Sequence, residues 1–237
     1  VSQEASGTLS FVASPIGNLG DITLRALECL RSADIIACED TRHSGRLLSR
    51  YEIKSRLVSL HEHNEASRSA ALMGELKAGL NVAYLTDAGT PGISDPGGRL
   101  LQACLRESLP YEVLPGPCAV TTAATGSGML GTAFYFGGFL PNKSGQRENR
   151  LRAALGRLET CLFYESPHRI IKSLKVLQEF APERALCVAR ELTKTHEEFR
   201  RGIAATLIEY YEKRPPKGEI VLVIAGTDLP KWIAHPS

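Results

Sequence analysis

The segment 84-YLTDAGTPGISDPGG-98 decides the fold of this chain. It opens on the end of a β-rich apolar run, Val82 to Leu85. Two Asp-containing turns then flank Thr90-Pro91-Gly92, and a helical pattern follows from Arg99 to Leu109. Glycine lets the backbone approach a ligand closely, while Pro91 and Pro96 fix local geometry and remove donors. A strand that ends in such a loop offers main-chain N–H and C=O groups to a ligand.

The same grammar recurs on either side. The runs Leu9 to Ala13, Asp34 to Cys38, Leu57 to Leu60 and Tyr111 to Leu114 read as strands. Asp21 to Ser32, Thr41 to Tyr51 and Ala66 to Leu80 read as helices, with Asp21 a plausible N-cap and Gly79 a stop. Strands alternating with helices argue for βαβ units and a parallel sheet. Ligands then bind at the carboxyl ends of the strands. Those ends read SPIGNLGD, EDTRHS, TDAGTPGISDPG and LPGPC.

The second half reads differently. Ala133 to Leu140 is a strand or connector, Gln146 to Leu158 a basic helix, and Pro167 to Phe180 and Ala204 to Tyr211 are helices. Thr160 to Glu165, Arg184 to Arg190, Glu197 to Arg201 and Glu219 to Ala225 are strands, in places without helices between them, so this sheet is expected to be mixed. A boundary near Thr132 gives two α/β domains, 1–131 and 132–237.

The net charge of +2 excludes a uniformly basic protein but hides an asymmetry. Residues 1–139 hold 11 Lys/Arg and 14 Asp/Glu, whereas residues 140–217 hold 16 and 10. Within 142-NKSGQRENRLRAALGR-157, Lys143, Arg147, Arg150, Arg152 and Arg157 face Glu148 alone, which suits either a solvated helix face or phosphate contact. Six cysteines without a C-x-x-C pair are too sparse for a disulfide framework and read as buried thiols in a reducing, cytoplasmic compartment. Val1 to Thr8 shows no signal-peptide pattern. The uncharged stretch Val113 to Asn142 is long enough for a membrane span, but its glycines and prolines fit a buried loop, helix and strand better.

Several chemistries lack their signatures. There is no G-x-G-x-x-G after the first strand, no G-x-x-x-x-G-K-[ST], no H-E-x-x-H and no G-x-S-x-G. His61, Glu62 and His63 have poor metal spacing, so no metal is expected.

The strings ASPIGNLGDIT (13–23), CEDTRHSGRLL (38–48), LHEHNE (60–65), YLTDAGTPGISDPG (84–97), LPGPCAV (114–120), FYESPHR (163–169), ARELTKTHEE (189–198) and KGEIVLVIAG (217–226) span nearly the whole chain. Together they resemble the tetrapyrrole methylase superfamily, the class III S-adenosylmethionine-dependent methyltransferases, and within it the branch that acts on ribosomal RNA. Corrin and siroheme methylases carry GxGxGD and a GGDP turn where this chain has SPIGNLGD and DAGTP.

The resemblance implies two α/β domains with the methyl donor, S-adenosyl-L-methionine, in a cleft between them, and a homodimer. It implies 2′-O-methylation of the ribose of cytidine 1402 in 16S rRNA, at the decoding centre of the small ribosomal subunit. It places donor contacts at Pro15, Ile16 and Gly17, at Asp87, Ala88, Gly89, Ile93 and Ser94, at Cys118 and Ala119, and at Tyr164, Leu192 and Gly218. Members often continue into a small C-terminal helical part, which is expected to be missing, trimmed or reduced here.

A ribose hydroxyl is a weak nucleophile that needs a proton acceptor or a nearby cation. Asp40, Glu62, Glu165 and Glu191 stand beside polar loops; Asp40 and Glu165 are preferred because both end strands, and Lys194 is a cation that could lower the hydroxyl pKa. Each carboxylate could equally be paired with a neighbouring arginine. Arg169 and the basic stretch would hold phosphates. Two alternatives stay open: a small-molecule tetrapyrrole or precorrin methyltransferase, and a non-catalytic RNA-binding module.

Overall fold

The computed structural model describes residues 6–61, 63–93 and 97–227. The chain divides by its internal contacts into Val1–Cys118 and Ala119–Ser237.

The first unit is a five-stranded parallel sheet. Its strands are β1 (Leu9–Val12), β2 (Ile35–Cys38), β3 (Arg56–Ser59), β4 (Val82–Leu85) and β5 (Tyr111–Leu114), in the order β3-β2-β4-β1-β5. The period of two along each strand decides which side chain meets which helix layer. Val12, Ile36, Cys38, Ala83 and Leu85 pack with α1 (Leu24–Ser32) and α2 (Thr41–Arg50). Leu9, Phe11, Ile35, Ala37, Val82 and Tyr84 pack with α3 (Glu65–Lys77) and α4 (Gly98–Arg106). With both faces covered, the three inner strands β1, β2 and β4 are buried throughout, whereas edge strands β3 and β5 are partly open to solvent.

Register sets the functional edge. Leu85 is paired with Val12 and with Cys38, and Val12 with Leu114, so β2, β4, β1 and β5 end at one level. Their four following loops therefore stand side by side. The N-cap of α1 is Thr23, whose hydroxyl accepts from the Ala26 N–H at 3.1 Å. Asp21, the expected cap, instead closes a short 3-10 turn that Asn18 caps.

The second unit is a mixed sheet. Helix α5 (Ala119–Ser127) precedes β6 (Phe134–Phe139), α6 (Ser144–Leu155), β7 (Thr160–Glu165), α7 (Ile170–Phe180), β8 (Leu186–Arg190), β9 (Glu198–Gly202), α8 (Ala204–Lys213) and β10 (Ile220–Ile224). The order is β6-β7-β10-β8-β9, with only β6 and β7 parallel. Central β10, IVLVI, is buried throughout. One core layer joins α6, α7 and α8 to β7, β8 and β10. Helix α5 packs on β8, β9 and β10, so it lies with this unit, ahead of the boundary expected near Thr132.

All six cysteines are free; Cys38, Cys104, Cys161 and Cys187 are buried. Burial pushes the Cys161 thiol up to about 11 and the Cys187 thiol up to about 12. No helix among the described residues is long and apolar enough to cross a membrane.

Candidate functional site

On the first unit, the loop after β4 ties the carboxyl edge together. Gly89 exchanges two backbone hydrogen bonds with Ser14 of the β1 loop, at 3.0 and 3.1 Å. The buried Thr86 hydroxyl donates to the Gly89 carbonyl at 2.6 Å and lies 3.3 Å from the Ser14 hydroxyl. Thr90 donates to the Pro117 carbonyl of the β5 loop at 3.1 Å. The Asp87 carboxylate accepts the Asp40 N–H of the β2 loop at 3.2 Å. One stretch of five residues thus holds three neighbouring loops.

Glycine is required at this crossing. Gly89 has φ +83°, and a Cβ there would meet Ile16 at 3.4 Å. A Cβ on Gly116 would lie 2.8 Å from that of Ala13, so the β1 and β5 loops approach each other only because the side chain is missing. The anchoring of the far end is non-local: Glu65 accepts the N–H groups of Gly97 and Arg99, each at 3.0 Å. That contact accounts for the last residue of the LHEHNE string.

The expected donor residues of this unit fall on that edge. Pro15, Ile16 and Gly89 are buried, Asp87 and Cys118 are half-buried, and Gly17, Ala88 and Ile93 are exposed. Ala119 opens α5. Ser94, and the carboxylate residue Glu62, lie outside the described residues. The hydroxyls of Ser14, Thr86 and Thr90 carry no role in the sequence reading, although they stand in two of the Gly/Pro strand ends, SPIGNLGD and TDAGTPGISDPG.

Asp40 caps α2. Its carboxylate accepts the Arg42 N–H at 2.8 Å and pairs with the Arg42 guanidinium at 3.4 Å. Those hydrogen bonds hold its pKa below the ordinary carboxylate range. A depressed pKa makes a weaker proton acceptor.

On the second unit, Ile220 pairs with Glu165 on one side and Arg190 on the other. The ends of β7 and β8 and the start of β10 therefore share one edge, which carries Tyr164, Gly218 and Leu192. Tyr164 stands against the rings of Phe136 and Phe139, both 5.0 Å away. Leu192 is buried. Glu191 and Thr193 take positive φ, 50° and 65°, which is uncommon for residues with side chains. The bend turns the Glu191 carboxylate over Gly218, where it accepts the Glu219 N–H at 3.0 Å. Lys194 lies 2.8 Å from Glu191 and 2.9 Å from Glu219. Burial alone would lower the Lys194 pKa, but the two carboxylates outweigh it and hold the ammonium above the ordinary lysine value.

Glu165 is committed within its own unit. Its side chain is fully buried and accepts from the Ser166 N–H at 2.7 Å, Arg169 at 2.9 Å and the Ser173 hydroxyl at 2.5 Å. Arg169 also reaches Asn142. The basic stretch is less free than its sequence suggests. Arg147 is buried, and its guanidinium serves the Pro141 and Asn142 carbonyls at 3.4 and 3.2 Å. Arg152 pairs with Glu148 and lies over Phe180; Arg157 pairs with Glu159 and lies over Tyr135. Arg150 reaches the Tyr135 hydroxyl at 3.4 Å, and Lys143 is exposed.

A parallel sheet with backbone-rich strand ends, joined in one chain to a mixed sheet, defines a class. Residues 8–208 match the model of the tetrapyrrole (corrin/porphyrin) methylases, and the chain belongs to that family. Among its relatives, the ribosomal RNA small subunit methyltransferase I of Synechocystis is 47% identical over 93% of this chain and 79% of its own length. The protein of that name from Vibrio cholerae is also 47% identical, over 92% and 77%. The uroporphyrin-III-C-methyltransferase of Thermus thermophilus shares the fold with a TM-score of 0.66 at 25% identity, covering 92% of this chain and 94% of its own.

Proposed function

We propose that this chain is a cytoplasmic S-adenosyl-L-methionine-dependent methyltransferase that modifies the ribose 2′-hydroxyl of cytidine 1402 in 16S rRNA. The carrying observation is similarity of nearly half of all residues, along almost the whole chain, to small-subunit rRNA methyltransferases. The DAGTP stretch at the hub of four strand ends fits that reading. The substrate partner is the small ribosomal subunit, and the working form is a homodimer.

The donor supplies an electrophilic methyl on a sulfonium. The first unit's edge suits a cationic adenosyl ligand. Its loops 13–17, 86–93 and 115–118 contain no Lys or Arg, and Asp87 lies among them. Gly17, Ala88 and Gly116 are exposed and leave backbone groups accessible. In this reading Ser14, Thr86, Gly89 and Thr90 position the loops, while Pro15, Ile16, Gly17, Asp87, Ala88 and Cys118 touch the donor. Alignment of nucleophile, methyl and sulfur is the main contribution, about 7–11 kcal/mol at most.

The second unit orders the acceptor. Lys194 remains protonated at neutral pH, so it acts as a cation that favours the ionised hydroxyl rather than as a base. Glu191 and Glu219 hold its Nζ in place. Glu165, with no oxygen to spare, organises the Arg169 turn. Asp40, whose pKa is lowered by its hydrogen bonds to Arg42, is a weak proton acceptor, so proton removal falls to solvent.

The test is transfer of labelled methyl from S-adenosylmethionine to small ribosomal subunits, with a precorrin as rival acceptor. Label in 16S rRNA alone is expected. Label in the tetrapyrrole, or none in either, would reject the proposal.

A further inference from the structure

Strand β9 and helix α8 line an open groove of about 430 Å³ that the proposed chemistry does not use. Its lining carries Arg200, Arg201, Lys213 and Arg214 against one carboxylate, Glu209, a formal balance of +3. Tyr210 organises it: the Arg200 guanidinium lies 3.5 Å from the ring centroid and that of Arg214 5.2 Å. Such contacts hold planar cations in place without neutralising them. Arg201 is anchored by the Ser127 carbonyl at 2.7 Å.

Much of this charge is available. Arg214 has no carboxylate partner among the described residues. Lys213 pairs with Glu209 at 2.7 Å, but the two side chains are 71% and 69% exposed, so the pair is weak and can be exchanged for another anion. Arg200 shares its charge with Glu198 at 2.9 Å. The carboxyl end of α8 points here, so the helix dipole opposes an anion and the side chains alone must hold it. In 142–157, Arg147 is buried and Arg152 and Arg157 are paired with carboxylates.

We propose that this groove holds backbone phosphates of the RNA substrate and docks a stretch of strand flanking the target nucleotide. The inference rests on the rRNA reading above. A volume of 430 Å³ is that of a site for a nucleotide-sized segment rather than a single small anion. The Tyr210 ring is taken by cations, so the contact reads charge and not base identity.

The probe is fluorescein-labelled single-stranded RNA, titrated by anisotropy between about 50 and 200 mM salt. The double variant Lys213→Gln/Arg214→Gln removes two exposed cations and is checked for folding by its thermal melt. Losing two contacts at about 0.7 each lowers the slope of log affinity against log salt by about 1.4. Affinity for S-adenosylmethionine by calorimetry is unchanged. Lys175→Gln, an exposed cation paired with Glu212, leaves the slope unchanged. An unchanged slope in the folded double variant overturns the assignment, as does displacement of the RNA by micromolar inorganic phosphate. Methyl transfer is measured alongside on small subunits. A chain that methylates rRNA while the double variant keeps its slope rejects the groove alone. A chain that loses the slope as expected, yet transfers no methyl, rejects rRNA methylation alone.

Discussion

Replacing Gly218 by alanine tests how the second unit builds its charged corner. Two costs arise. Gly218 has φ +82°, where an L-residue costs about 1–2 kcal/mol. The new Cβ would also lie 2.1 Å from Glu191 Oε1 and 2.2 Å from its Cδ, so the carboxylate must swing away. It then gives up the Lys194 ammonium at 2.8 Å and the Glu219 N–H at 3.0 Å. Hydrogen bonds to charged groups contribute about 1.5–3 kcal/mol when buried. Glu191 and Lys194 are 19% and 29% exposed, so the low end applies and the two together are worth about 2–3 kcal/mol. The total for Gly218→Ala is therefore about 3–5 kcal/mol. In a Glu191→Ala background only the backbone cost remains, about 1–2 kcal/mol. The assay is urea denaturation of the four chains of this cycle, reading midpoints at constant m-value. A coupling of about 2–3 kcal/mol is expected. Equal costs in the two backgrounds would refute the carboxylate-over-glycine account.

Three further outcomes follow from the same geometry. Thr86→Val keeps the shape but removes the hydroxyl that holds Gly89 and Ser14; a loss of about 1–3 kcal/mol in denaturation and weaker donor binding by calorimetry are expected, and unchanged donor affinity would detach the hub from the site. Glu165→Gln leaves Arg169 without its buried partner and destabilises by about 3 kcal/mol, while the pH–rate profile keeps its shape; disappearance of the acid limb would make Glu165 the proton acceptor instead. The pair Glu191–Lys194 sets a pH window. Burial opposes the charge on Glu191, but Lys194 and the Glu219 N–H outweigh it and lower the pKa below 4.5. That stabilisation is present above 4.5 and is lost as pH falls through the folded value. Lys194 is raised above 10.5, so its share is present below that value and is lost as pH rises through the folded one. The stability difference between wild type and Glu191→Ala is expected to be flat between these limits and to shrink beyond each; a difference that changes near neutrality would contradict it.

The parallel half was legible because its physics is local. Runs such as IIAC and VAYL are buried on both faces, and each ends in Gly/Pro/Asp punctuation that a helix cannot cross. The mixed second sheet was legible from strands that follow one another without room for a helix. What escaped depends on contacts distant in sequence or on a single turn of geometry. Arg147 looks like its neighbours on α6, yet it alone points at the carbonyls of Pro141 and Asn142. Glu165 ends a strand as expected, but Ser173, one turn into the next helix, claims its second oxygen. The hub was visible as a string, not as a junction, because register brings Ser14, Asp40 and Pro117 to Thr86–Thr90 only after the strands pair. The cations of β9 and α8 are about a dozen residues apart and meet only when the helix folds back on the strand.

The central claim is the identity of the atom that receives the methyl group. Small ribosomal subunits incubated with this chain and S-adenosylmethionine can be stripped of protein, digested with nuclease and sequenced by mass spectrometry. A single added methyl on the ribose of cytidine 1402 is the predicted result. A methyl on the base of that nucleotide, or unmodified rRNA from a chain that binds the donor, would contradict it.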